Sequence, residues 1–343
     1  MSETDAGEPL PPSLPSPRPA ARCGIVLSRS VGQIYQRTPY EQVAVTKTQQ
    51  AKRERPLFEE AWRTRQANFP PIIGFDYPLN TLVVSLTGDR CELDCAHCGG
   101  HYLEHMVPIW DADPEGATSC LISGGCDRRG RVPVTSHLDV VERLRPGRVL
   151  NWHVGLIGRE EAEAIEPYVD IISFDFVGDD ETIREVYGLD TGVDGQIAAY
   201  ELLRSYATIV PHITVGLRGG RFSGEYRALE ILQKLGADGL VFIVLIPTPG
   251  TRYAHREPPG PEEVAALLAE ARVRFPKAPI HLGCMRPRGS YREQLDPLAV
   301  RAGVNVIVSP SARAVSLAQE LGLSVDRREE CCAVRFKREE HYG

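Results

Sequence analysis

Three cysteines, Cys91, Cys95 and Cys98, stand within eight residues, in the run Cys91-Glu-Leu-Asp-Cys95-Ala-His-Cys98-Gly-Gly. That spacing is too tight for three unrelated core thiols, and a loop carrying them can wrap one small inorganic centre. Thiolates in such a loop hold an iron–sulfur cluster or zinc. Three ligands on a cubane of four irons leave one iron open to a further ligand. A closed zinc site asks instead for a fourth protein ligand, which His97 or His101 could supply.

Six more cysteines complete the nine: Cys23, Cys120, Cys126, Cys284, Cys331 and Cys332. An odd count, in a chain whose first twenty residues lack the apolar segment of a secretory signal, points to a reducing, cytoplasmic setting. Cys120, inside an apolar run, reads as core filler. Cys126 and Cys284 fall near the carboxyl ends of expected strands, where α/β barrels build their active sites. In Gly283-Cys284-Met-Arg286-Pro-Arg288-Gly289 a thiol and two guanidiniums share one such edge. The tail pair Cys331–Cys332 is expected to fold back over the barrel mouth. Cys126, Cys284 and one or both of Cys331 and Cys332 then suggest a second [4Fe–4S] cluster, with Cys23 or a non-cysteine group as a further ligand.

The elements that must position these thiols follow from periodicity. Short β-branched runs alternate with helical patterns. Strands are expected at Thr81–Thr87, Thr118–Ser123, Val149–Ile157, Ile171–Val177, Val210–Leu217, Leu240–Ile246, Ile280–Met285 and Val304–Val308. Helices follow most of them; Pro261 ahead of Glu262 and Glu263 is a strong helix start, with acidic residues against the positive end of the dipole. Eight strand–helix pairs predict an α/β fold, a closed (β/α)8 TIM-type barrel, over an open doubly wound sheet. The expected organisation is a disordered segment 1–22, an extension packing on the barrel at 23–79 with a helical stretch near Pro56–Asn68, the barrel at 80–322, and a tail at 323–343.

Composition removes other classes. Apolar residues at 42% suffice for a large core, and a net charge of −7 without a basic tract argues against nucleic acid as a partner. No apolar run is long enough to span a membrane, so no membrane association is expected. Neither a dinucleotide-binding glycine fingerprint nor a phosphate loop occurs in its required setting.

The triad together with the barrel rhythm, over roughly Asn80 to Pro310, resembles the radical S-adenosylmethionine superfamily. The resemblance implies a [4Fe–4S] cluster on Cys91, Cys95 and Cys98, whose open iron is chelated by S-adenosylmethionine, and reductive cleavage to a 5′-deoxyadenosyl radical. His97 fills the place, usually aromatic, whose backbone touches adenine. Ser123-Gly124-Gly125-Cys126 looks like the family's Gly-Gly-Glu element for the methionyl amino group, with Cys126 where an acid is expected. Gly155–Gly158, Val215-Gly216-Leu217-Arg218 and Ile246–Thr251 also look familiar, which adds Gly155 and Gly216 to the cofactor contacts.

Within the superfamily, the triad, Leu121–Cys126, Gly283–Gly289 and the Cys331–Cys332 tail resemble the biotin-synthase-related proteins that act as two-component lipoyl synthases. That branch implies sulfur insertion into an octanoyl chain carried on a lysine or lipoyl domain, with a paralogous radical enzyme and a small electron-donor protein as partners. It also implies catalytic roles for Cys126 and Cys284, and an arginine ligand such as Arg286. Two rivals are a radical enzyme of another type (methylase, mutase or ring-forming) and a non-catalytic metal-binding protein.

Overall fold

The computed structural model describes residues 47–337, with side chains from 55 onward; Cys23 lies outside the described residues. Among the described residues eleven strands form one sheet: β1 (Ile72–Asp76), β2 (Thr81–Ser85), β3 (Val107–Pro108), β4 (Ser119–Ser123), β5 (Val149–His153), β6 (Ile171–Asp175), β7 (Thr208–Val215), β8 (Leu240–Val244), β9 (Ile280–Leu282), β10 (Val306–Val308) and β11 (Ser324–Arg328). Every pairing is parallel, in the order β11-β1-β10-β9-β8-β7-β6-β5-β4-β2-β3.

All eight expected strands are present, in sequential order from β2 through β10, and the intervening helices are the crossovers that parallel neighbours require. The sheet does not close. Among the described residues β3 and β11 are free edges, so the expected closed (β/α)8 barrel is corrected to an open, TIM-like half-barrel. The reason is β1, which takes the place beside β10 where β2 would have closed the ring, and is itself flanked by β11.

The helix α1 (Lys47–Asn68) packs against α7 (Pro261–Arg274). In α7, Pro261 occupies the first turn and the Glu263 carboxylate accepts the Gly260 N–H at 3.2 Å, as its sequence predicts. Among the described residues no helix is long and apolar enough to cross a membrane.

The tail does not fold over the mouth. After β11 it runs beneath the amino ends of β2 and β4: the Cys331 N–H donates to Thr81 Oγ1 at 2.8 Å, and Asn80 Nδ2 donates to Glu329 at 3.0 Å. A short 3₁₀ helix, Cys332–Phe336, then enters the curve of the sheet from below. Cys332 and Ala333 join Ile171, Val210, Val241 and Val306 in one apolar cluster, so the tail acts as a floor for the half-barrel. Arg335 anchors it. Its guanidinium donates to both Asp76 oxygens at 2.9 Å and to Asp326, with Asp76 and Arg335 both buried. Gly74 makes room for that arginine: a Cβ there would lie 2.8 Å from Arg335 Cζ.

Removing one partner of a buried ion pair strands the other charge, which costs about 3–5 kcal/mol. Arg335→Met should therefore lower unfolding stability by about that amount in denaturant titrations. A loss below about 1 kcal/mol would show that the tail is not a structural floor.

Candidate functional site

The loop after β2 carries Cys91, Cys95 and Cys98 in a tight fold. Asp94, Gly99 and Gly100 adopt positive φ of 46°, 51° and 82°. The Gly99 N–H bonds the Cys95 carbonyl at 2.9 Å and the His101 N–H the Cys98 carbonyl at 2.8 Å, turning the chain around the thiols. Three neighbouring loops hold the wrap. The Cys126 carbonyl accepts from Glu92 N at 2.9 Å, the Val186 carbonyl from Ala96 N at 2.8 Å, and the Ala96 carbonyl from Tyr253 N at 3.0 Å. Val186 lies in a π-helical turn, Ile183–Tyr187, a local irregularity that often marks a functional site.

Gly125 sets the distance between this loop and the end of β4. A Cβ at Gly125 would overlap the Arg90 carbonyl oxygen and lie 2.6 Å from Cys91 Cα. Its N–H donates to Thr87 Oγ1 at 2.7 Å. Gly124 is less crowded, its nearest neighbour being Thr87 Oγ1 at 3.3 Å from the Cβ position. At Gly155 a Cβ would overlap the Gly130 carbonyl oxygen.

These residues surround a cavity of about 250 Å3 inside the carboxyl ends of the strands. The three cysteines, His97, Ser123, Gly124, Gly125, Cys126 and Gly155 all line it, together with apolar walls such as Leu156 and Leu189. One group of the residues singled out in the sequence thus shares a single chamber. Cys95 and Cys98 share a hydrogen bond: Cys98 is drawn towards the thiolate by Cys95 and the His97 ring, while the same bond and burial push Cys95 up. Burial, and then the Cys91 thiol, push Cys126 up to about 12. His97 is held between Tyr102 and Tyr187, each 5.9 Å away ring to ring.

Among the described residues, no three His, Cys, Asp or Glu side chains converge closely enough to hold one metal ion. A cubane spreads its cysteines over separate irons and needs no such convergence. Three adjacent thiols on one cavity, one favouring the thiolate, fit that donor requirement.

Other candidates fall elsewhere. Gly216, with φ of 72°, packs on Pro259 and is not on the cavity wall. Arg286 is fully buried: its guanidinium forms two hydrogen bonds of 2.9 Å with Asp296 of α8 (Ser290–Arg301) and one of 2.7 Å to the Gly283 carbonyl. It belongs to the wall of the barrel, with these donors engaged there and not offered to the cavity of the triad. The expected four-cysteine group also divides. Cys126 belongs to the triad's cavity, and Cys332 is a buried member of the apolar floor. Cys284 and Cys331 are not on that cavity's wall, and Cys331 packs against the same floor cluster. Cys284 is accessible yet enclosed by the barrel; that enclosure and the nearby Cys331 push its thiol up to about 11. A hydrogen bond with Cys332 draws the Cys331 thiol down to about 7.

The fold has solved relatives. A methylornithine synthase (PylB) superposes with a TM-score of 0.58 at 15% identity, covering 82% of this chain and 91% of that one. The FeFe-hydrogenase maturase HydG from Carboxydothermus hydrogenoformans superposes at 0.60 and 16% identity, covering 83% of this chain and 74% of that one. The likeness is one of fold. No protein-family model and no curated protein matches the chain.

Sequence reasoning missed several residues of the chamber: His153 and Asp175, at the ends of β5 and β6, and Tyr187 and Gln196 beyond β6. The first two had the same signal that singled out Cys126, a chemically capable side chain at a strand's carboxyl end. His153 Nδ1 stands 3.9 Å from Asp175, and its ring is 5.3 Å from that of His212. Burial keeps His212 neutral, with its pKa lowered to about 4.

The two glycines give a direct test of the geometry. Gly125→Ala should force the triad loop away and lower iron retention after anaerobic reconstitution by about tenfold, as loss of supporting contacts does. Gly124→Ala should retain iron. Equal retention by both variants would contradict the close approach described at Gly125.

Proposed function

We propose that this chain is a radical S-adenosylmethionine enzyme. The observation that carries the reading is the assembly of Cys91, Cys95, Cys98, Gly124 and Gly125 on one cavity, at the end of a half-barrel where such folds place active sites. A [4Fe–4S] cluster bound by the three cysteines would supply the electron that cleaves the sulfonium C–S bond of S-adenosylmethionine. The chain's own residues do the rest. Leu156, Leu189 and the other apolar walls exclude water, which protects a carbon radical from side reactions. Gly124 and Gly125 let backbone polar groups approach a ligand closely. The bonds from Val186, Cys126 and Tyr253 keep the thiols in register.

The finer reading is sulfur insertion into an unactivated C–H of a protein- or peptide-bound octanoyl chain, as in a lipoyl synthase component. It rests on the resemblance of the motifs and on Cys284 and Cys331, two thiols within the barrel and apart from the triad. These two, with a ligand still to be identified, are the remaining candidates for a second [4Fe–4S] cluster. The partners proposed with this reading are an electron-donor protein, a paralogous radical enzyme and the acylated lysine itself; the setting is cytoplasmic. Another radical reaction on a small molecule is the alternative if Cys284 and Cys331 bind no iron.

Reduced, anaerobically reconstituted protein should release 5′-deoxyadenosine from S-adenosylmethionine, and Cys91→Ala, Cys95→Ala or Cys98→Ala should abolish the release. Iron content should be about eight per chain if both clusters form and about four if only the triad's does. Cys284→Ala should then remove about half the iron while sparing 5′-deoxyadenosine formation. A wild-type protein that holds iron and releases no 5′-deoxyadenosine would rule out the proposed chemistry.

A further inference from the structure

Among the described residues, Cys126 is the one cysteine outside the triad that lines the triad's cavity. Cys120 is buried within β4, Cys332 is part of the apolar floor, and neither Cys284 nor Cys331 is on that wall. Main chain fixes the place of Cys126. The Glu92 N–H donates to its carbonyl at 2.9 Å, and Cys91 Sγ lies 3.9 Å from the same oxygen. The preceding residue, Gly125, is pressed against the Arg90–Cys91 peptide, so the two segments cannot drift apart without losing that contact. The Cys126 sulfur is in no disulfide and is close enough to all three triad thiols to interact with them electrostatically.

Four thiolates are the common donor set of a [4Fe–4S] cluster, and the fourth can come from well outside the run that holds the other three. The triad loop and the end of β4 bring four together on one cavity. His97 is the nearest rival for the fourth place, but its ring bonds the Cys98 thiol and stands between Tyr102 and Tyr187. The side chain at position 126 is also not neutral in its choice of partner. A carboxylate there, as the resemblance leads one to expect, would be a hard oxygen donor suited to an ammonium. A thiolate is a soft donor that favours the irons of a cluster.

We propose that Cys126 is a fourth, exchangeable ligand of the triad's cluster, holding the iron that the triad leaves open until S-adenosylmethionine takes that position. The assignment rests on the function proposed above and adds a closed resting state to the same site. When S-adenosylmethionine binds, the bond from Cys126 Sγ to iron breaks, and bonds from the methionyl amino and carboxylate groups replace it. The proton that the α-ammonium gives up goes to the departing thiolate, so protons balance and no electron moves. Cys126 then stands as a thiol on the cavity wall. In the closed state every iron has a protein ligand, which guards the cluster against losing metal while no S-adenosylmethionine is bound.

The test compares the anaerobically reconstituted full-length wild type with Cys126→Ala and Cys126→Ser, after iron content and thermal melting have verified loading and folding. Mild oxidation with ferricyanide strips the iron that lacks a protein ligand, and electron paramagnetic resonance counts the three-iron product. Without S-adenosylmethionine, the wild type should form that product at least about tenfold more slowly than Cys126→Ala, since losing a ligand weakens metal retention at least as much as losing a supporting contact. Cys126→Ser puts oxygen where sulfur was. Its reduced cluster should give a shifted spectrum without S-adenosylmethionine and the wild-type spectrum once S-adenosylmethionine is saturating. Any second cluster is common to all three proteins and drops out of the comparison. Should Cys126→Ala load poorly, the serine comparison decides alone. Equal rates of iron loss overturn the proposal, as do identical spectra for wild type and Cys126→Ser before S-adenosylmethionine is added. A wild type that resists oxidation but whose spectrum never responds to S-adenosylmethionine would sink the proposed function and the exchange, while keeping Cys126 as a permanent fourth ligand.

Discussion

The candidate site depends on how closely two backbone segments can approach, and Gly125 is where that distance is decided. The triad loop must press its Arg90–Cys91 peptide against the end of β4, a place where any Cβ would collide with main-chain atoms. Because the obstruction is backbone, no rotamer change could relieve it. From that contact follow the bond from Glu92 to the Cys126 carbonyl, the orientation of the loop and the presence of all three thiols on one wall. The bonds through Val186 and Tyr253 fix the far side of the loop. Three strand-end loops thus share the work of placing one short motif, which is how a barrel scaffold turns rigid strands into a precise loop site.

Much of this was legible in the chain, for reasons that differ between elements. The eight barrel strands are buried, β-branched runs between helical patterns, and burial on both faces makes parallel strands conspicuous. The triad was legible because its chemistry is packed into eight residues. What could not be seen depends on long-range partners. β1 contains Gly74 and Asp76, poor strand formers, and owes its place to an arginine 259 positions away from Asp76. β11, Ser-Val-Asp-Arg-Arg, looks solvated and is an edge strand of just the charged kind that resists aggregation.

Arg286 illustrates the same limit within the site. Beside Cys284 its guanidinium suggested a ligand. Asp296, ten residues on and nearly two turns into α8, takes two of its nitrogens, and the Gly283 carbonyl takes the third. A guanidinium is satisfied by whichever planar acceptor is nearest in three dimensions, and sequence neighbourhood says little about which that is.

The tail gives the interior its division of labour. An open half-barrel without a floor would admit water from below. The 3₁₀ helix at Cys332–Phe336 fills that end with apolar contacts to Ile171, Val210 and Val241, and the Arg335–Asp76 pair fastens it to the strand that kept the sheet from closing. The same two departures from a closed barrel, an extra strand and an inserted tail, therefore compensate one another. They also set Cys331 against the apolar floor, near enough to Cys284 for one thiol to act on the other. Any chemistry of that pair is thus coupled to the integrity of the floor. A change that loosens Arg335 would disturb Cys331 before it reached the triad, whose own loops are fixed independently at the other end of the strands.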